Sequence, residues 1–91
     1  MKHNELIDTK RDEILKIAKQ YGAYNVRVFG TQAIHGEVNF IVNLESGRNF
    51  LDQGGLLMEL RDLLACEVGV FTEGGLKDNY RKRVLKGAIP L

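Results

Sequence analysis

The side chains best suited to chemistry mostly stand alone in this sequence. Cys66 is the single cysteine, and no histidine neighbours it to take its proton, so it reads as a small buried hydrophobe rather than a nucleophile. His3 and His35 have no partners at metal-ligating spacing and read as exposed surface. Asp8, Asp12, Asp52, Asp62 and Asp78, which are all the aspartates, fall in predicted helices or their starts. Glu37 and Asn39 stand two apart on a predicted strand, so their side chains share a face, which by itself could be the wet face of an edge strand. Gly30-Thr31 closes another strand and, taken alone, is an ordinary turn. Residues 77–91 set Lys77, Arg81, Lys82, Arg83 and Lys86 against Asp78, a local charge of five minus one, +4. Cations near a helix C-terminus are favoured by its dipole, and the same cluster could attract an acidic protein surface, a nucleotide phosphate or RNA. No series of aromatic residues accompanies it, which argues against direct nucleic-acid binding.

The elements that must position these residues fit in one domain, 1–91, because a chain of 91 residues does not make two. Such a chain buries only about 60–65% of its unfolded surface, so its core is small. Apolar residues at 44% argue against disorder, and 13 basic against 12 acidic side chains exclude a strongly basic coat or an acidic tail. One cysteine excludes an internal disulfide framework and a multi-cysteine zinc site. The polar start Met1-Lys2-His3-Asn4-Glu5 leads into no apolar export segment, and no run approaches the roughly 18–20 apolar residues of a membrane span. A cytoplasmic protein, with no membrane partner, is the expectation.

Apolar periodicity predicts a helix from His3 to Tyr21, stopped by Gly22. Strands are predicted over Tyr24–Phe29, with Val26 and Val28 on one face, and over Glu37–Leu44, with Val38, Phe40 and Val42 on one face. Gln32 to His35 suit at most one helical turn between them. A second long helix, Leu51 to Ala65, carries Leu56, Leu57, Leu60, Leu63 and Leu64 as its apolar stripe, with Asp52, Glu59, Arg61 and Asp62 towards solvent. Its Gly54-Gly55 pair implies either close packing or a start near Leu56. A third strand over Glu67–Thr72, a loop at Glu73-Gly74-Gly75, a helix over Leu76–Gly87 with Tyr80, Val84 and Leu85 inward, and a tail complete the chain. The order α-β-(short α)-β-α-β-α predicts an α+β domain with helices packed on a three-stranded mixed sheet.

The stretch Val26-Arg27-Val28-Phe29-Gly30-Thr31 resembles the minimal nucleotidyltransferases (MNT) of the DNA polymerase β superfamily. In that family a strand ends in Gly-Ser, the next strand carries Asp-x-Asp, and a later strand carries a third Asp. The likeness extends over Phe50-Leu51-Asp52 and over Val70-Phe71-Thr72-Glu73-Gly74-Gly75-Leu76 to the ending Ala88-Ile89-Pro90-Leu91. It implies the nucleotidyltransferase fold, and transfer of a nucleoside monophosphate from ATP with two Mg²⁺ ions held by carboxylates.

Carried over by position, the resemblance places Gly30 and Thr31 on the nucleotide-binding Gly-Ser, and Glu37 and Asn39 on the paired metal-binding aspartates. Gly69 falls on the third aspartate. Glu37 and Asn39 are thus the metal candidates, and three acids are reduced to one. A site that works by position and charge is weakened by that loss, so Glu37, Asn39 and Gly69 mark a degenerate catalytic centre. Small members of the family serve as antitoxins of HEPN-domain ribonuclease toxins, which they bind and, when active, AMPylate on tyrosine. The resemblance therefore implies an antitoxin-like module that binds a HEPN toxin, with apolar positions of the Leu51–Ala65 helix and the basic last helix as its partner surface. The alternative is an active Mg²⁺- and ATP-dependent transferase that recruits Glu67 or Glu73 as a further acid. A domain this small can also self-associate to cover apolar surface.

Overall fold

The computed structural model describes residues 3–29 and 38–91. Helix α1 (His3–Gln20) buries Ile7, Ile14 and Ala18, which recur on one helical face. The turn that follows it closes at Gly22, whose φ of 73° lies in the left-handed region. A Cβ there would also run into the Arg48 side chain, so this turn requires glycine.

Strands β1 (Ala23–Phe29), β2 (Val38–Leu44) and β3 (Val68–Thr72) each begin within one residue of expectation. The tail supplies a further strand, β4 (Ile89–Pro90), so the expected three-stranded sheet gains a short fourth member. Two residues are too few to show a period, which is why this strand has no signature in the sequence. The order is β3-β2-β1-β4, with β1 antiparallel to β2 and β4, and β2 parallel to β3. β2 is therefore internal, and Asn39 does not lie on the edge strand that would have explained it as merely wet.

Helix α2 (Phe50–Leu64) makes the crossover that a parallel β2–β3 pair needs. A capping box starts it: the Asn49 side chain accepts from Leu51 N at 2.8 Å, and Asp52 Oδ2 accepts from Asn49 N at 3.1 Å. The helix thus runs through both glycines. Gly55 lies against the Tyr21 ring, where a Cβ would come within 2.5 Å of Cε1, so close packing is the reason for that glycine. Leu56, Leu60 and Leu64 are buried, but Glu59 is half-buried and accepts a hydrogen bond from the Tyr21 hydroxyl instead of facing water.

The core lies between one face of the sheet and the helices α1 and α2. Val26 and Val28 of β1, Val38, Phe40 and Val42 of β2 and Val70 of β3 meet Ile14, Leu56 and Leu60 there. After β3, Glu73–Gly75 forms a 3-10 turn in which Thr72 Oγ1 accepts from Gly75 N at 3.1 Å. Helix α3 (Asp78–Gly87) follows, two residues later than expected. It buries Val84, whereas Tyr80, expected inward, is 46% exposed. No helix among the described residues is long and apolar enough to cross a membrane. The expected turn over residues 32–35, and the candidate positions Gly30, Thr31, His35 and Glu37, lie outside the described residues.

Candidate functional site

The sheet face opposite the core carries Asn39 and Gly69, which the resemblance assigns to the site. Side chains alternate along a strand, so Arg27 and Phe29 of β1, Asn39, Ile41 and Asn43 of β2, and Gly69 and Phe71 of β3 share that face. The register sets Asn39 between Phe29 and Gly69, and Ile41 between Arg27 and Phe71. The rings of Phe29 and Phe71, from the strands on either side of β2, reach each other with centroids 5.8 Å apart and planes tilted by 54°. Ile41 is fully buried on this face, separate from the main core.

The structure thus brings Asn39 and Gly69 together. A Cβ on residue 69 would collide with Asn39 Oδ1 and come within 2.9 Å of Phe71 Cε2. The carboxamide and the ring occupy the space that a side chain at 69 would need.

A divalent Mg²⁺ site calls for several oxygen ligands in near-octahedral array. Asn39 offers one neutral carbonyl oxygen, and Gly69 offers no side chain. No group of three His, Cys, Asp or Glu comes together among the described residues to hold a metal ion. Asn39 and Gly69 by themselves bring too few oxygen ligands for a two-metal centre. Of the two further acids, Glu73 is paired with Arg27 of this face at 3.0 Å, and Glu67 with Arg61 at 3.4 Å.

Arg27 organises the rest of the face. Its Nη1 meets Glu73 Oε1 at 3.0 Å, its Nη2 donates to Asn43 Oδ1 at 3.0 Å, and its Nε donates to the Asn25 carbonyl at 3.0 Å. The Arg27 side chain is only 11% exposed and that of Glu73 32%. The geometry depends on a bulge between Tyr24 and Arg27, where Asn25 takes φ 53° and donates from Nδ2 to Asn43 Oδ1 at 3.0 Å. Nothing in the sequence marks Arg27 and Glu73 as partners, because 46 positions separate them and no local period links their segments. Cys66 is half-buried at the end of α2; burial pushes its thiol pKa up, Glu67 adds to the effect, and this opposes thiolate chemistry.

The chain is 35% identical to a solved structure described as a minimal nucleotidyltransferase, over 96% of this chain and 94% of that one, with a TM-score of 0.85. The chain belongs to the minimal nucleotidyltransferase family. Its α+β architecture, with three helices packed on a four-stranded mixed sheet, is therefore that of a minimal nucleotidyltransferase. Two more distant structures share the fold. A variant of the toxin–antitoxin complex MntA–HpeT is 13% identical, over 89% of this chain and 69% of that one, with a TM-score of 0.72. A structure from Shewanella oneidensis is 18% identical, over 97% of this chain and 71% of that one, with a TM-score of 0.73. No model of a protein family and no curated protein matches the chain.

Proposed function

We propose that this chain is an antitoxin-like binding module of the minimal nucleotidyltransferase family, a single domain over residues 1–91, that acts by binding a HEPN-type ribonuclease toxin rather than by transferring AMP. The observation that carries the noncatalytic half is the Asn39–Gly69 pair, which leaves one neutral oxygen where the fold would use two carboxylates. The partner half is supported by family membership and by the likeness in fold to a toxin–antitoxin chain. It is also supported by exposed apolar residues. Phe50 and Leu51, at the start of α2, are 86% and 83% exposed, and a groove lined by Phe50, Phe71 and Leu76 adjoins them. Most of the α2 leucines are core, so the partner surface of this helix is its exposed start and not its stripe.

Two measurements test the reading. The chain is titrated calorimetrically with HEPN-domain toxins, where binding is expected and its absence overturns the antitoxin role. The mixture is then given labelled ATP and Mg²⁺. No label on the partner is expected, and metal-dependent labelling that disappears in Glu37→Ala would establish a transferase that retains Mg²⁺ and ATP.

A further inference from the structure

Helix α3 carries charge that the rest of the molecule does not answer. Among its ten residues only Val84 is buried. At 100° per residue, Lys82 and Lys86 lie one turn apart on the side away from Val84, with Arg83 beside Lys86. None of these three cations has an ion-pair partner among the described residues, and Asp78, the only acid of the helix, is taken by Arg81 at 3.0 Å. Like charges spaced i, i+4 repel and weaken a helix. By contrast, α1 mixes the signs on its outer side: Asp8, Asp12 and Glu13 stand among Lys10, Arg11 and Lys16, and Lys10 lies 3.9 Å from Glu13.

We infer that the outer face of α3, built from Lys82, Arg83 and Lys86, docks an acidic helical segment of a protein partner. The inference rests on the binding-module reading and names its surface. Lys82 and Lys86 are separated by about 6 Å along the axis, the same one-turn spacing that carboxylates at i, i+4 have on a facing helix. Nucleic acid suits the face less well. Tyr80, the one aromatic residue of the helix, stands beside Arg83 on the flank nearer Val84, and no second ring follows it to stack successive bases. The chain's net charge of +1 also gives no broad field to draw in a polyanion.

The probes are a labelled helical peptide bearing Glu at i, i+4 and i+7, and a labelled single-stranded RNA of similar charge, each followed by fluorescence anisotropy. At low salt the peptide is expected to bind and the RNA to bind more weakly. Affinity for the peptide should fall about tenfold or more in K82E/R83E/K86E and persist in K82R/K86R, with all variants melting as the unaltered chain does. Failure of the peptide to bind, equal binding by the reversal variant, or tighter binding of RNA overturns the inference. Titration with the HEPN-domain partner separates it from the reading beneath. Binding weakened by the reversal supports both, binding indifferent to it overturns the α3 surface alone, and no binding by the unaltered chain overturns the antitoxin role while the peptide result still decides the surface.

Discussion

The carboxamide oxygen of Asn39 stands where a Cβ on residue 69 would be, across the parallel pairing of β2 with β3. The side chain at 39 and the lack of one at 69 are therefore coupled in space. Gly69→Ala is expected to destabilise the chain by about 1–2 kcal/mol, as overpacking does, because Asn39 must swing away and Phe71 must give. In Asn39→Ala/Gly69→Ala the collision with the carboxamide is gone. Urea denaturation of both single variants and the double should then show a favourable coupling of about 0.5–2 kcal/mol. Strict additivity would mean that Asn39 and residue 69 do not share that space.

The adjacent glycines of α2 should respond oppositely. A Cβ at Gly54 meets nothing within 4 Å, so Gly54→Ala is expected to stabilise by about 0.5–1 kcal/mol through helix propensity alone. At Gly55 the same change drives a methyl into the Tyr21 ring, at 2.5 Å from Cε1 and 3.1 Å from Cζ. Thermal melts should show Gly55→Ala lowering the midpoint while Gly54→Ala raises it.

Tyr21 gives the fold an alkaline limit. Its hydroxyl donates to Glu59, and that bond, then burial, then the negative charges of Glu59 and Asp52 raise its pKa above the usual 10.0. The folded state thus holds this proton more tightly than the unfolded chain. The stabilising contribution is whole below pH 10.0 and is lost as the pH climbs from there through the folded pKa. Chemical denaturation across that range should show stability falling, and Tyr21→Phe should flatten the fall. Spectrophotometric titration of the phenol should place the midpoint of Tyr21 above 10.0, and Glu59→Gln should bring it down.

What could be read in the sequence follows from the range of the interaction. Alternation in Val26-Arg27-Val28 and in Val38-Asn39-Phe40-Ile41-Val42 marks the core face, and the structure buries those valines and Phe40 as the period requires. The likeness to the family placed Asn39 and Gly69 on site positions, and the β2–β3 register sets them side by side. The bulge at Asn25, the pairing of Ile89–Pro90 with β1 and the burial of Ile41 depend on contacts between distant segments, which no local period encodes. The same holds for Glu59: its place on α2 predicts solvent, but Tyr21 lies within reach and takes it.

The Arg27–Glu73 pair is expected to matter most among the polar contacts. Arg27 joins the bulge on β1, Asn43 on β2 and the turn after β3, so a single guanidinium ties three segments of the open face together. Arg27→Met keeps the apolar stem and removes the fork, leaving Glu73 without its cation and Asn43 with only the Asn25 side chain as donor. Because Glu73 is a third exposed, water recovers part of that loss, and a cost of about 1–3 kcal/mol is expected, below that of a fully buried pair. Arg27→Lys retains the charge but cannot reach the Asn25 carbonyl, Asn43 and Glu73 at once, so it should recover less than half of the loss. In Glu73→Gln/Arg27→Met the uncompensated carboxylate is removed, and stability should rise relative to Arg27→Met alone. Equilibrium denaturation of these four proteins decides it. A Met variant as stable as the unaltered chain would show that Arg27 does not tie the face together.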